Sequence, residues 1–243
     1  MLIKYEYKSR TAMMGWAILI IAYAIKQYQV LGYVSDSMLI SVIVQLVYIT
    51  KFFWWETGYM DSIDIMHDRF GFYICWGCLV WLPSVYTNCT FYLVSHPIQL
   101  NPIAFYGILF AGLLSVYINY NVDEQRQKFR KLNGNITIWG KKATYIDAKF
   151  KTKKGEEKHT KLLTSGWWGV SRHANYTFEL SAALLWCPPV QFHQIVPYFY
   201  FIFLTILLFH RAIRDEERCL KKYGKAYQDY KKKVPYFIIP GVF

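Results

Sequence analysis

The sequence predicts an all-α, polytopic membrane protein with about six transmembrane helices and a cytoplasmic C-terminal region. Three observations lead there. Apolar residues make up 54% of the 243-residue chain and charged residues 18%. A soluble domain carries about 25% charged residues, so this chain has too little polar surface to face water all round. Its apolar residues also fall into runs near the roughly 20 residues that a helix needs to cross a bilayer. Finally, the 28 Lys and Arg outnumber the 16 Asp and Glu and gather in alternate connections between those runs.

The runs lie at about residues 12–29, 37–54, 70–93, 101–121, 177–192 and 195–210. Lys4, Glu6, Lys8 and Arg10 precede the first without a small-residue cleavage site, so no cleavable signal is expected. The third contains Pro83, which a membrane helix tolerates when neighbours re-satisfy the freed carbonyl. Lysines and arginines crowd the N-terminal tail, the 122–172 connection and the tail after Phe209, while the turns near His96 and Gln191 have none. The positive-inside rule then puts both termini and the 122–172 loop in the cytoplasm, which an even number of spans satisfies. Residues 1–125 hold the first four spans, and 126–243 hold the basic loop, the last two spans and the tail.

Three polar clusters exceed what topology requires. Arg126 and Arg130 stand four apart just after the fourth span, so a continued helix puts them on one face. Two guanidinium forks there suit a phosphate or pyrophosphate, and equally lipid headgroups. The stretch from Gly166 to Tyr176 mixes Trp167, Trp168, Arg172, His173 and Asn175 directly before a span. Glu179, at the apolar boundary, needs a partner such as Arg172 or His173. The same residues could instead make an aromatic floor for a flat ring, with amide and imidazole groups at its edge. The third cluster, His210 to Arg218, includes Arg211 and Asp215 one turn apart, and Tyr223 and Tyr230 follow in the tail.

In the second span, Tyr48 is a packing residue or, near Glu56 and the acids Asp61, Asp64 and Asp68, a proton donor to a substrate carbon. The lysine-rich loop sets topology and meets anionic lipid, with a short hairpin around Trp139-Gly140 and Thr144 to Phe150 and a solvated turn over 151–158. No nucleic-acid recognition motif accompanies it. Cys75-x-x-Cys78 has no second ligand pair, so no metal site is expected, and five cysteines in apolar runs predict no disulfide framework. The sequons at Asn88, Asn135 and Asn175 fall in spans or cytoplasmic loop and are not expected to be glycosylated. No Gly-x-Gly-x-x-Gly fingerprint is present, so a nucleotide must be held in a non-Rossmann way.

The ordered stretches Ser62–Phe72 (SIDIMHDRFGF), Val80–Pro83, Tyr92–Pro97 (YLVSHP), Leu163–Gly169 (LTSGWWG), Arg172–Tyr176 (RHANY), Pro197–Tyr200 and Arg214–Glu216 through Val234–Tyr236 together resemble the sterol reductase family. That family includes delta-14 and delta-7 sterol reductases and the membrane domain of the lamin B receptor. The resemblance covers essentially the whole chain. Asn135–Lys142 and residues 145–154 are similar to an insert of the delta-7 branch that delta-14 enzymes lack.

The resemblance implies an NADPH-dependent oxidoreductase of sterol biosynthesis in the endoplasmic reticulum membrane, or in a host or intracellular membrane if the source is not a eukaryote. Its substrate would be a sterol, with the C7–C8 double bond of 7-dehydrocholesterol-like sterols reduced by protonation and hydride transfer. It implies that residues 1–125 form part of the sterol side and 126–243 the NADPH site. Arg126 and Arg130 match a basic pair for the cofactor's adenosine-side phosphates, with Arg126 where a lysine is usual. Trp168 (or Trp167), Arg172, His173 and Asn175 match the cofactor-pocket motif. Arg211, Asp215, Tyr223 and Tyr230 complete it, while Tyr48 matches a proton donor with Glu56 as a nearby acid. Cys78 replaces an aspartate and Asp123 an asparagine of the family pattern. The family carries further helices upstream, so the chain is a remnant, a partial gene product, or one that needs a partner supplying them. Two other readings stand beside this one: a non-catalytic sterol- or NADPH-binding membrane protein, and an isoprenylcysteine carboxyl methyltransferase-like enzyme, which shares the Arg-His-x-x-Tyr and C-terminal motifs.

Overall fold

Where the sequence has apolar runs, the backbone closes its own hydrogen bonds, as lipid requires of a crossing segment. In the computed structural model, which describes residues 2–56, 58, 72–151, 155–187 and 194–242, α1 spans Leu2–Leu31 and α2 Asp36–Trp54. Then come α3 (Phe72–Trp76), a π-helical stretch (Gly77–Tyr86) and α4 (Asn88–Leu93). Helix α5 runs over Pro102–Lys131. Strands β1 (Thr137–Ile138), β2 (Lys141–Lys142), β3 (Tyr145–Lys151) and β4 (Glu157–Leu163) follow. Helices α6 (Trp167–Val170), α7 (Ala174–Leu185), α8 (Phe199–Tyr223) and α9 (Lys225–Lys233) complete the order. The acids Asp61, Asp64 and Asp68, the motif over 62–71 and most of the turn near Gln191 lie outside the described residues.

The protein is a predominantly helical, polytopic membrane protein. Among the described residues, four segments are long and apolar enough to cross a bilayer: Ser9–Leu31, Asp36–Trp54, Pro102–Lys131 and Val196–Tyr223. The third expected run is segmented. Pro83 lies inside its π-helical stretch, where Ser84 and Thr87 hydroxyls donate to the carbonyls of Val80 and Pro83. Pro83 has no N–H to give the preceding turn, and a π-helical turn is a common way for a helix to absorb such a break.

The all-α expectation is amended by two antiparallel hairpins. Trp139 and Gly140, both at positive φ (51° and 77°), make the two-residue turn that joins β1 to β2, as the twist of a tight hairpin demands. The alternation over 145–150 does form a strand, β3, and its partner β4 pairs Tyr145 with Leu163 through to Lys151 with Glu157. Helix ends follow local chemistry. Ser35 caps α2 by accepting from Met38 N–H, and Asn101 accepts from Ala104 N–H ahead of Pro102, the first residue of α5. At the other end of α5, Asn133 and Gly134 take left-handed φ and Gly134 N–H returns to Phe129 O.

Packing divides the chain into two units, each discontinuous in sequence. The first comprises Met1–Tyr117 and Leu180–Leu204. Its interior is aromatic: Trp16, Tyr48 and Trp186 meet pairwise at 5.5–6.0 Å between ring centroids, and Trp186 stacks on Tyr200. Within it runs a buried polar chain. Trp16 Nε1 donates to Gln45 Oε1, and Gln45 Nε2 donates to the Ser41 and Thr90 hydroxyls, tying α1, α2 and α4 together. Such bonds resist opening in an apolar surround, because each lost partner leaves a buried polar group unsatisfied.

The second unit comprises Ile118–Glu179 and Thr205–Phe243. Val122 and Phe129 of α5 pack with Ile138, Leu163 and Trp168, forming a core under the hairpins. Ile146 and Leu162, from the other hairpin face, pack against Tyr227, Tyr230 and Val234. After α9 the chain returns along residues 171–177. Arg172 and His173 N–H donate to Tyr236 and Phe237 carbonyls, while Ser171 and Thr177 hydroxyls reach Ile238 O.

Candidate functional site

The last turns of α5 carry two of the expected site residues into the second unit. Arg126 lays its guanidinium 4.3 Å from the Trp168 ring centroid and reaches Asp123 Oδ1 at 3.4 Å. Trp168 is itself pinned, its indole N–H donating to Val122 O at 2.8 Å. A cation on an indole face with one long carboxylate contact keeps its charge directed yet partly exposed (37%), which suits an incoming anion. Arg130 is exposed one turn further on the same helix.

Gly166 opens the Trp-Trp segment at φ +65°, ψ −148°, a conformation that side chains avoid. A Cβ there would also meet Gln125 Oε1 and, at 2.6 Å, Ile138. This turn swings Trp167 and Trp168 back against α5, where Trp167 Nε1 donates to Asn121 Oδ1.

Arg172 is buried and heavily engaged. Its Nε donates to Glu216 Oε1 at 2.6 Å, and its Nη1 to the Val234 and Pro235 carbonyls at 2.8 and 2.6 Å. The sequence offered Glu179 as its partner; Glu216 of α8 takes that place, and Lys231 holds the other Glu216 oxygen at 2.8 Å. Glu216, Lys231 and the carbonyls of the tail were missed as members of this cluster. The block His210–Arg218 flagged Glu216 as one polar residue among many, but nothing local identified it as the one facing Arg172.

His173 is buried, stacked on Tyr176 and edge-on to Phe237. Burial drives its pKa down to about 4, opposed by Asp215 and Glu216 and assisted by Arg172 and Arg126. The imidazole is therefore neutral at pH 7. Among the described residues its Nε2 and the Oδ1 of Asn175 are both buried without a hydrogen-bond partner, whereas Asn175 O accepts from Asn119. Buried polar atoms are seldom left so.

Tyr230 donates its hydroxyl to Trp168 O at 3.3 Å, and burial pushes its pKa upward against the pull of Arg172 and Arg126. Asp215 pairs with Arg218, and Arg211 lies one turn earlier on α8. Tyr223 packs edge-on to Phe150 of β3. Electrostatic coupling joins Arg126, Arg172, His173, Asp215 and Tyr230 within one unit. Tyr48 and Glu56 belong to the first unit, Tyr48 between the Trp16 and Trp186 rings with Lys51 above its own, and Glu56 chelated by Arg10 through both carboxylate oxygens. No group of acids, histidines and cysteines suited to a metal occurs among the described residues.

Comparison with known proteins bears directly on this arrangement. The model of the ergosterol biosynthesis ERG4/ERG24 family matches residues 1–243. The chain belongs to this family. Relatives include the 7-dehydrocholesterol reductase of Arabidopsis thaliana, 54% identical over 241 residues, covering 99% of this chain and 56% of the relative. The 7-dehydrocholesterol reductase of Xenopus laevis is 43% identical over 99% of this chain and 51% of its own length. The delta(14)-sterol reductase of Methylotuvimicrobium alcaliphilum is 40% identical over 99% and 54%. The chain thus spans about half the length of the curated relatives it matches. The match includes the stretches upstream of residue 100 that the methyltransferase reading leaves unexplained.

Proposed function

We propose that this chain is an NADPH-dependent sterol reductase, acting on the C7–C8 double bond of 7-dehydrocholesterol-like sterols in the endoplasmic reticulum membrane. One observation carries the reading: a partly exposed guanidinium, Arg126 on the Trp168 face, shares a unit with two buried polar atoms, His173 Nε2 and Asn175 Oδ1, that no described group satisfies. A phosphorylated nicotinamide dinucleotide has complementary parts. Its phosphates suit Arg126 and Arg130, and its carboxamide, at once donor and acceptor, suits a neutral imidazole and an amide oxygen. The family membership and the 54% identity to a 7-dehydrocholesterol reductase support the chemistry.

When bound, the nicotinamide supplies hydride. The chain's own residues would do the rest. Arg126 and Arg130 bind the phosphates, Trp168 gives Arg126 its bearing, and Arg211, Asp215, Tyr223 and Tyr230 line the remainder of the cofactor site within 126–243. Arg172 holds the tail in place beside His173. In residues 1–125, on the sterol side, Tyr48 donates a proton to one carbon of the double bond, with Glu56, held by Arg10, as the acidic position of that side. Proton and hydride must meet opposite ends of one bond, so positioning accounts for much of the rate. Six spans with both termini cytoplasmic belong to the same proposal.

Titration of the purified chain with NADPH, NADH and S-adenosylmethionine tests it. NADPH should bind at least tenfold tighter than NADH. Equal affinities overturn the phosphate assignment, and tight S-adenosylmethionine binding without NADPH binding favours methyl transfer instead.

A further inference from the structure

The hairpin β1–β2 takes no part in the proposed cofactor site. The apolar run of α5 ends near Asn121, and the rest of the helix, to Lys131, rises about 15 Å beyond it. The hairpin then brings the chain back. Trp139, in its two-residue turn, meets Trp167 edge-on at 5.1 Å between ring centroids. Trp167 in turn donates to Asn121 Oδ1 and packs edge-on to Phe178, also at 5.1 Å. Asn121 closes one apolar run and Phe178 stands at the start of another. The Trp139 ring is therefore one ring removed from the level at which two membrane segments meet water.

That ring is left uncovered. Trp139 is 59% exposed, although its strand neighbour Ile138 is buried in the core beneath. An indole, apolar in its body and hydrogen-bonding at its edge, suits the headgroup level of a bilayer. Around it the charge is of one sign. No Asp or Glu occurs between Glu124 and Asp147, while Arg126, Lys128, Arg130, Lys131, Lys141 and Lys142 do. The flanking acids are answered: Asp123 by Arg126, Glu124 by Lys128, and Asp147 lies opposite Lys161 in the β3–β4 pair. Glu179, beside Phe178, is half-buried. Lys131, Lys141 and Lys142 are exposed and make no ion pair among the described residues. Lys141 and Lys142 are consecutive in β2 and leave it on opposite faces, so both flanks of the Trp139 turn are cationic.

We propose that the β1–β2 turn is a membrane foot for anionic phospholipid. The Trp139 ring enters the headgroup layer, and Lys141 and Lys142 bind anionic headgroups on either side of it. A layer of neutral headgroups would satisfy the indole but leave the lysines without a counter-charge. An acidic protein or a nucleic acid would answer the lysines but has no need of an indole at the level of the apolar runs. The foot does not depend on the cofactor assignment.

The test reconstitutes the full chain in phosphatidylcholine vesicles that contain a minor, equal mole fraction of either phosphatidylglycerol or phosphatidylcholine brominated high on its acyl chain. Bromine quenches tryptophan on contact, and the difference between wild type and Trp139→Phe isolates one indole among the nine. That difference should be about fivefold larger with the brominated phosphatidylglycerol, the preference of a single lysine at an anionic surface. The double variant Lys141→Glu/Lys142→Glu should abolish the preference and keep the Trp139 quenching. Lys141→Gln/Lys142→Gln should reduce the preference part-way, which separates loss of charge from loss of fold. Equal quenching of wild type and Trp139→Phe would take the ring out of the membrane and overturn the proposal. Equal quenching by the two brominated lipids, or a preference that survives charge reversal, would overturn the assignment of anionic lipid.

Discussion

Arg126 and His173 make contrasting demands on their surroundings. Arg126 keeps its charge near solvent on an aromatic face, and the proposed function gives that charge a phosphate to bind. Replacing Arg126 or Arg130 by alanine should therefore weaken NADPH by about 1.5–3 kcal/mol, or roughly 10- to 150-fold, with little change for NADH. Equal losses for both nucleotides, read by titration, would contradict the phosphate role. His173 is buried in its neutral form, with its pKa lowered from 6.5 to about 4. Because the unfolded chain takes up this proton near pH 6.5 and the folded one only near pH 4, the neutral histidine's stability is intact above pH 6.5. It is lost as pH falls towards 4, by about 2 kcal/mol at pH 5. His173→Gln should remove that slope. Unfolding midpoints of both proteins between pH 7.5 and 4.5 check this, and parallel slopes would show that His173 does not titrate as described.

Among the elements, the returning tail depends on few residues. Arg172 bridges Glu216 of α8 and the carbonyls of Val234 and Pro235. Its removal leaves Glu216 with Lys231 alone and strands two carbonyls. Arg172→Ala should cost about 3–5 kcal/mol and free the tail, and limited trypsin digestion should then cut at Lys231–Lys233. A tail as resistant as the wild type's would contradict the staple. The sequence signalled Glu179 as needing a cation and pointed to Arg172 or His173, because those residues are near in the chain. Glu216 lies 44 residues from Arg172, and such a contact leaves no local periodicity. Strand β3 was legible from its alternation, although the Trp139-Gly140 turn read with it belongs to a separate hairpin, β1–β2. Its partner β4 was not, because Glu157 to Lys161 is polar on both faces and lacks the pattern of a half-buried strand.

At the scale of the molecule, hydropathy disclosed the membrane character and the four long helices, since lipid permits few alternatives to a helix. It did not disclose the two discontinuous units, in which Leu180–Leu204 packs with the first 117 residues while Thr205–Phe243 joins Ile118–Glu179. The exchanges at 118, 180 and 205 fall within helices, where no proline, glycine or charge run marks a boundary. The same limit held for the Trp16–Gln45–Thr90 chain, whose members read as ordinary polar residues in apolar runs. The residues proposed for the cofactor drew attention in the sequence because charge and aromatic rings beside a membrane span are costly without a purpose.

The most direct measurement supplies the chain, reconstituted in lipid vesicles, with 7-dehydrocholesterol and NADPH deuterated at the hydride position of the nicotinamide. A reduced sterol carrying one deuterium, formed by the wild type and strongly diminished in Tyr48→Phe, is the expected product. Intact 7-dehydrocholesterol, recovered from folded protein with NADPH bound, would contradict reductase activity in this chain.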